Sequence, residues 1–336
     1  MSQTSYYQSH LDQVSRSFAF CIAQLQSPLK EWVGLSYLLF RNLDSIEDAK
    51  WNNTDDKLKA FQHYHLLFDQ PTSASNWHLK LPEGLPDSEV QLMAEAPKLA
   101  QDFFQLPEFV QTSLRRSLLT MSAGMQHFSK NKILKLKSLQ EVNQYCFFVA
   151  GLIGELLTDL LNHLTQDKKD DLYFSSVQFG IFLQKINLLK DQISDEKENR
   201  FLVPNRQELL ISLKKDADGA IKYLTAIPLQ QKEFRLFCAW SLFIGLSSLK
   251  FLENSWLNQV LEKIPRSLTT LLIGKIETLI DDNQALIQYF IELTKPLENQ
   301  KATFSSGPSE SSSQDWLLSL YQGRLSREDL GRLGLI

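Results

Sequence analysis

A cluster of acidic residues follows a long apolar stretch early in the chain, where residues 37–48 read YLLFRNLDSIED. On a helix turning 100° per residue, one narrow stripe would carry Tyr37, Arg41, Asp44 and Asp48. The opposite side of that helix would be apolar. Acids on a surface helix normally lie among other polar residues, so their position at the end of an apolar helix needs another explanation. The arrangement indicates a metal site.

A second helix repeats this pattern in residues 180–195, which read GIFLQKINLLKDQISD. Its polar stripe carries Gln184, Asn187, Asp191 and Asp195, and the opposite side is apolar. If the two helices faced each other, their carboxylates would form an oxygen-rich pocket suited to Mg²⁺, with Mn²⁺ as the alternative. Because Mg²⁺ usually binds a few carboxylates together with substrate phosphates, the implied ligand is a phosphate or diphosphate. The alternative for either acidic pair alone is an ordinary solvated helix face.

Four basic residues could neutralise the remaining negative charge of such a ligand: Arg16, Arg41, Lys190 and Arg200. Arginine offers a planar fork that binds phosphate oxygens in pairs. Each also has an ordinary structural alternative: Arg16 could cap a neighbouring helix, and Arg200 could form a surface ion pair with a nearby glutamate.

The composition is that of an ordinary globular protein of 336 residues with a net charge of −4, and no long basic run suggests nucleic acid as a partner. Cys21, Cys146 and Cys238 are far apart, which predicts buried free thiols and a reducing compartment. No signal sequence is evident, and the longest apolar run, residues 236–249, is too short to span a bilayer. We therefore expect a cytoplasmic protein, with peripheral membrane contact as a further option.

Helical spacing of apolar residues occurs throughout the chain, and alternation typical of strands is hard to find. The sequence predicts one all-α domain over residues 1–298, followed by a serine-rich linker and a loose C-terminal tail over 299–336. Ser27 and Pro28 are predicted as the N-cap and first residue of the helix that carries the first acidic cluster. Further helices are predicted at residues 89–104, 107–128, 138–164, 172–194, 206–226, 230–252 and 265–293, with a short piece at 316–321.

Four segments in this order resemble motifs of the squalene/phytoene synthase family: SRSF (15–18), SYLLFRNLDSIED (36–48), YCFFVAG (145–151) and FLQKINLLKD (182–191). The FLQKxN form of the last is most similar to the squalene synthase members. The resemblance implies the isoprenoid synthase fold with a central cavity. It also implies a prenyltransferase of sterol or hopanoid biosynthesis, which condenses two molecules of farnesyl diphosphate through presqualene diphosphate and reduces the product with NADPH to squalene.

The resemblance also implies roles for individual residues. The metal ligands would be Asp44, Glu47, Asp48, Asp191 and Asp195. The diphosphate groups would be bound by Ser15, Arg16, Ser17, Arg41, Lys190 and Arg200. Tyr37, Arg41 and Tyr145 would act at the reacting carbons, and Gln184 and Asn187 would lie near the cofactor or a second metal ion. Small residues at Gly151 and Gly154 would let a prenyl chain approach the helix backbone, or would simply permit close helix packing.

Two departures from the family pattern lie in the second acidic motif, where Lys190 replaces an arginine and Ser194 replaces an acid. Two other hypotheses are left open. One is a dehydrosqualene or phytoene synthase that omits the reductive step, and the other is a non-catalytic family member that acts as an assembly factor. The sequence has no HExxH motif and no GxGxxG fingerprint, so NADPH would bind without a Rossmann unit.

Overall fold

The computed structural model of the chain describes residues 3–77, 79, 81–82, 84–130, 133–166, 171–258, 262, 264–298 and 315–336. Contacts divide the chain into two compact units, residues 1–132 and 133–336, and each is described by itself. The prediction of an all-α fold is confirmed. Within the described residues, extended segments pair only in one isolated parallel bridge, between Lys135 and Phe201. The predicted domain boundary at 298 and the central cavity stay predictions.

The first unit consists of helices arranged around one long central helix. They are α1 (Gln3–Val14), α2 (Arg16–Ala23), α3 (Leu29–Asp48), α4 (Thr54–Leu66), a 3₁₀ helix (Pro71–Asn76), α5 (Asp87–Ala94), α6 (Ala96–Phe104) and α7 (Glu108–Phe128). Helix α3 packs against every α-helix of this unit. Its apolar side is therefore covered all along its length.

Helix α3 has the apolar stripe that the sequence predicts: Leu35, Leu39 and Ile46 are completely buried. The predicted start is wrong by one residue, because Pro28 occupies the N-cap position and the helix begins at Leu29. The helix ends where Ala49 becomes extended. The adjoining loop then returns over the last turn, where the Trp51 indole donates a hydrogen bond of 2.8 Å to the carbonyl oxygen of Ile46.

The second unit is built around a still longer helix, α10. Its elements are α8 (Leu139–Cys146), a π-helical turn (Phe147–Gly151), α9 (Leu152–Thr165), α10 (Leu172–Lys197), α11 (Arg206–Ala226), α12 (Lys232–Asn258), α13 (Arg266–Leu279), α14 (Asn283–Glu298), α15 (Asp315–Leu320) and α16 (Arg327–Arg332). Helix α10 packs against α8, α9, α11 and α12. The bounds predicted for α11 are confirmed, whereas the single helix predicted over 265–293 is interrupted between α13 and α14.

The C-terminal segment is not the loose tail that the sequence predicts, at least over residues 315–336. The Trp316 ring stacks on Phe148 at 5.5 Å between centroids, and the Gln144 side chain donates a hydrogen bond of 2.7 Å to the Leu335 carbonyl oxygen. Several apolar residues of the segment, among them Leu317, are buried. The segment therefore forms part of the core of the second unit. The predicted serine-rich linker, residues 299–314, lies outside the described residues.

Two glycines allow the backbones of neighbouring helices in the second unit to touch. A Cβ atom on Gly154 would lie 2.0 Å from the Ser176 carbonyl oxygen, and one on Gly180 would lie 2.2 Å from that of Ala150. A neighbouring helix thus fills the space beside Gly154, and Gly151 also faces side chains of α10. The hypothesis that a prenyl chain lies beside Gly151 and Gly154 is therefore wrong, and the alternative, that these glycines permit close helix packing, is confirmed.

We expect Gly154→Ala to destabilise the protein, because the added methyl group forces α9 and α10 apart. The cost should be about 1–3 kcal/mol or more, as for other overpacked cores. Gly274 offers a matched control, since it lies in helix α13 and an added Cβ would meet nothing within 4 Å. Gly274→Ala should stabilise the protein by up to about 1 kcal/mol, because alanine favours the helix. Urea denaturation of both variants measures the difference, and equal stabilities would contradict the packing argument.

Two helical stretches are long and apolar enough to cross a membrane by composition alone, Leu139–Thr165 and Lys232–Leu252. In these two windows 83% and 61% of the residues are buried inside the protein. Packing in the core therefore accounts for their apolar character. The three cysteines are buried and form no disulfide.

Candidate active site

The first group of candidate site residues surrounds Tyr37 on α3, in the first unit. Ser15 makes a side-chain hydrogen bond to Tyr37, and the Phe18 ring lies 5.6 Å from the Tyr37 ring. Burial raises the pKa of Tyr37, an effect that the hydrogen bond from Ser15 and the charge of Arg41 oppose. Two of the four motifs, residues 15–18 and 36–48, therefore meet in the structure. Arg16 and Ser17 begin helix α2, but their side chains lie outside the described part of the chain.

Arg41 lies one turn further along α3, between two carboxylates. One terminal nitrogen is 3.6 Å from Asp44, and the other donates a short hydrogen bond to Glu89 on α5. Burial lowers the pKa of Arg41, but the charges of Asp44 and Glu89 outweigh it and raise that pKa above its ordinary value. Arg41 is thus a fixed positive charge in a partly desolvated position. The sequence did not indicate Glu89 as a site residue.

The carboxylates at the end of α3 lie close enough together for their negative charges to repel one another. Partial burial raises the pKa of Asp44 well above the ordinary carboxyl range, and the charges of Asp48, Glu47 and Glu89 raise it further against the opposing effect of Arg41. The last turn of α3 also holds no basic residue, although its carbonyl groups favour positive charge. A divalent cation would offset the repulsion between these carboxylates, so the residues fit Mg²⁺ or Mn²⁺.

The carboxylates do not form a complete metal cage by themselves. In the part of the chain that the structure describes, no three His, Cys, Asp or Glu side chains come together closely enough to hold an ion. Mg²⁺ rarely needs such a cage, because it usually keeps several waters and takes one or two carboxylates together with substrate phosphates. The arrangement therefore suits an ion that binds together with a phosphorylated ligand.

The second group of candidate residues lies where α10 ends, in the second unit. Asn199 adopts a left-handed conformation (φ 59°). Its N–H group donates a hydrogen bond to the Glu196 carbonyl oxygen, and the N–H group of Arg200 donates one to the Asp195 carbonyl oxygen. This is a Schellman motif, which turns the chain back over the helix end. It leaves the Arg200 guanidinium 3.8 Å from the Asp195 carboxylate, with a hydrogen bond of 3.4 Å to the Tyr145 hydroxyl. Local chain geometry thus joins Asp195, Arg200 and Tyr145.

The rest of the second polar stripe faces away from the buried side of α10. Gln184 and Asn187 are half-buried, and their amide groups make no hydrogen bond to any described residue. Lys190 is half-buried and Asp191 exposed. The Ser194 hydroxyl donates a hydrogen bond of 2.8 Å to the Asp191 carbonyl oxygen. The serine that replaces an acid in this motif is therefore engaged with its own helix backbone.

A buried ion pair lies to one side of this stripe. Lys185 of α10 is 2.5 Å from Asp216 of α11 and donates a hydrogen bond of 2.6 Å to Ser212. Cys146, which follows Tyr145, lies close enough for its pKa to respond to both charges, although burial dominates and raises that pKa to about 12. The pair thus connects α10 and α11 next to the helix that carries Tyr145. Lys185 lies within the fourth family motif, but the sequence did not indicate that this residue is buried.

The structure therefore brings predicted residues together within each unit. Ser15, Tyr37, Arg41 and Asp44 meet in the first unit, and Tyr145, Asp195 and Arg200 meet in the second. Each group combines a tyrosine ring, an arginine and a carboxylate. Such a combination can hold a metal–phosphate complex beside an aromatic surface. The predicted face-to-face arrangement of the two acidic helices stays a prediction.

Comparison with known proteins gives consistent matches. A family model described as "Squalene/phytoene synthase" matches residues 11–212. Squalene synthase LSS of Botryococcus braunii is 35% identical over 197 residues, which cover 56% of this chain and 39% of that protein. Human squalene synthase is 29% identical over 199 residues, which cover 58% of this chain and 45% of the human protein. The chain thus spans less than half of the length of these curated relatives.

Solved structures share the fold over almost the whole chain. A structure of TcSQS with a bound ligand covers 99% of this chain and 99% of its own, with a TM-score of 0.75 at 19% identity. A dehydrosqualene synthase structure covers 83% of this chain and 96% of its own, with a TM-score of 0.58 at 17% identity. The isoprenoid synthase fold expected from the sequence is therefore confirmed, including the C-terminal segment that packs in the second unit.

Proposed function

Because the chain belongs to the squalene/phytoene synthase family, we propose that it is a prenyltransferase of the squalene synthase type. It joins two molecules of farnesyl diphosphate head to head through presqualene diphosphate, and then reduces this intermediate with NADPH to squalene. The observation that supports the proposal is the meeting of a tyrosine, an arginine and a carboxylate in each unit, formed by residues that lie within the family motifs or, for Asp195 and Arg200, just after the fourth motif. These are the groups that ionising an allylic diphosphate requires.

Stabilising the leaving diphosphate falls to the basic and acidic residues. Mg²⁺, when bound, would neutralise charge that develops on the diphosphate oxygens. Asp44, Glu47 and Asp48 would hold it in one group, and Asp191 and Asp195 in the other. Arg41 and Arg200 are held in place by carboxylates, so they can meet the developing charge without reorganising. Ser15, Arg16, Ser17 and Lys190 complete the proposed diphosphate contacts.

The aromatic residues would protect the carbocation that remains when the diphosphate leaves. Tyr145 is almost completely buried, and Tyr37 packs against Phe18. A dry aromatic surface excludes water, which would quench the cation. It also attracts the cation through the π face of the ring, a contribution of about 2 kcal/mol when desolvated. Tyr145 is held by Arg200 and is therefore pre-positioned for this role.

The reductive step involves the half-buried amides of α10. NADPH, when bound, would supply the hydride. Gln184 and Asn187 fit polar groups of such a cofactor, because their amides remain available for hydrogen bonds, as described above. The chain would bind this cofactor without a glycine-rich phosphate loop.

Squalene is insoluble in water, so we propose that the product leaves through peripheral contact with a membrane. Exposed apolar side chains in the second unit, such as Leu257 and Leu271, are 83% and 70% exposed and offer such a contact. The three buried cysteines form no disulfide, which suits a reducing compartment such as the cytoplasm.

The test is to incubate the purified protein with farnesyl diphosphate and Mg²⁺ or Mn²⁺, with and without NADPH, and to identify the products by mass spectrometry. We expect squalene only when NADPH is present, and presqualene diphosphate without it. Dehydrosqualene in both reactions would replace the proposal by the non-reductive enzyme. No product from farnesyl or geranylgeranyl diphosphate would favour a non-catalytic assembly role.

A further inference from the structure

Glu89, near the start of helix α5, lies outside every motif and yet belongs to the first group of site residues. Its side chain is buried, with 8% of the residue exposed. One carboxylate oxygen accepts the short hydrogen bond from Arg41, and the other accepts a hydrogen bond of 3.0 Å from the Ser45 hydroxyl. Both oxygens are therefore engaged by residues of α3. These two hydrogen bonds fix the position of the buried Glu89 carboxylate within the site.

The two partners of Glu89 are separated by one turn of α3. Arg41 and Ser45 are four residues apart, and the Ser45 hydroxyl also lies 3.0 Å from the Arg41 carbonyl oxygen. The carboxylate therefore spans one turn and fixes the guanidinium along the helix. The other terminal nitrogen of Arg41 is left on the side of Asp44, at 3.6 Å. Glu89 thus determines which edge of the guanidinium faces the acidic cluster.

The energetic reason for this arrangement is the partial burial of Arg41. Only 23% of its side chain is exposed. A flexible arginine in such a place would lose hydration and would adopt several rotamers. A carboxylate in the correct position offsets the desolvation and leaves a single geometry.

We propose that Glu89 is a positioning residue that holds Arg41 in the orientation in which it binds the diphosphate of the substrate. This inference rests on the proposed function, since it specifies how that site is held together. The opposite interpretation is that Glu89 occupies Arg41 and weakens diphosphate binding. The two interpretations predict opposite effects of removing the carboxylate charge.

The experiment compares Glu89→Gln, Glu89→Ala, Arg41→Ala and the double variant Arg41→Ala/Glu89→Ala. Glu95→Gln serves as the control, because Glu95 is a nearby acid that accepts a hydrogen bond of 2.6 Å from Tyr6 and makes no hydrogen bond to any site residue whose side chain the structure describes. Two quantities are measured for each protein: kcat/KM with farnesyl diphosphate, and calorimetric binding of inorganic diphosphate in the presence of Mg²⁺. Thermal unfolding establishes that each variant is folded.

We expect Glu89→Ala to lower kcat/KM roughly ten- to a hundredfold, as misplaced catalytic groups do. Glu89→Gln should retain more activity than Glu89→Ala, because the amide oxygen still accepts from Arg41. The double variant should be no worse than Arg41→Ala, since Glu89 acts through Arg41. Diphosphate binding should weaken in the same order, and Glu95→Gln should match the unchanged protein.

Independent, additive losses from the two alanine substitutions would overturn the inference, as would tighter diphosphate binding in Glu89→Gln. Failure of the proposed function is distinguishable from either result. In that case the unchanged protein makes no product from farnesyl diphosphate, while the binding measurements still show whether Glu89 acts through Arg41.

Discussion

Replacing Asp48 by asparagine should lower turnover of farnesyl diphosphate by roughly 10²- to 10³-fold or more, in line with the loss of other groups that stabilise transition-state charge. Asparagine has almost the same shape but cannot neutralise Mg²⁺ at the end of α3. The measurement is steady-state production of squalene and presqualene diphosphate over a range of Mg²⁺ concentrations. We expect the loss to persist at saturating Mg²⁺.

The same substitution should leave the fold intact or slightly more stable. Asp48 lies in the last turn of α3, where a negative charge opposes the helix dipole and adds to the charges of its neighbours. Removing it should stabilise the protein by up to about 1 kcal/mol. Asp55→Asn is the matched control, because Asp55 is exposed in the first turn of the next helix. Near-normal activity of Asp48→Asn would contradict the metal assignment.

We expect the substitution Lys185→Met to lower the stability of the protein strongly, which is the second large effect. This change leaves Asp216 buried without its partner, and breaking a buried pair on one side costs about 3–5 kcal/mol. The double variant Lys185→Met/Asp216→Leu should recover most of that loss, because it removes the unpaired charge as well. Chemical denaturation of the three proteins measures both values. A double variant as unstable as the single one would contradict the argument.

The cost of Lys185→Met should also depend on pH. Burial raises the pKa of Asp216, and Lys185 opposes this rise. Without Lys185, the folded protein binds a proton at Asp216 more tightly than the unfolded chain does. The protonated form is therefore favoured by folding, and stability is lost as pH rises through the raised pKa. We expect Lys185→Met to be closer to the unchanged protein at pH 5 than at pH 8.

Helix bounds were predictable where local signals and apolar spacing agree. Helix α11 begins after Asn205, whose side chain accepts hydrogen bonds from the N–H groups of Gln207 and Glu208, and it ends just before Pro228. Helices α13 and α14 were merged in the prediction, because apolar spacing continues across their junction. The missed signal is Asp282, which accepts hydrogen bonds from the first N–H groups of α14.

The C-terminal segment shows how composition can mislead. The serine-rich stretch that precedes the segment predicted a loose tail. In the structure, however, the segment contains five buried apolar or aromatic residues: Leu317, Tyr321, Leu325, Leu330 and Leu335. So many apolar residues in a short stretch require a partner surface to cover them. That pattern was readable in the sequence. The partner surface on α8 and the π-helical turn was not, because it is far away along the chain.

The site itself was predictable only where one helix carries the whole pattern. The stripe on α3 follows from helical geometry, and so does the one on α10. Glu89 was missed because an acid in the first turn of a helix ordinarily complements the helix dipole. Its contact with Arg41 depends on how α5 packs against α3. The glycines of α9 and α10 were ambiguous for a similar reason, since a missing side chain does not reveal what fills the space.

In the proposed mechanism, each acidic pair holds a metal ion bound to diphosphate. Crystals of the protein with Mn²⁺ and a non-reactive thio analogue of farnesyl diphosphate test it most directly, through the anomalous scattering of manganese. We predict manganese at bonding distance from Asp44 and Asp48, and from Asp191 and Asp195, with analogue phosphate oxygens completing the coordination. An analogue bound with no manganese at either pair would contradict the claim.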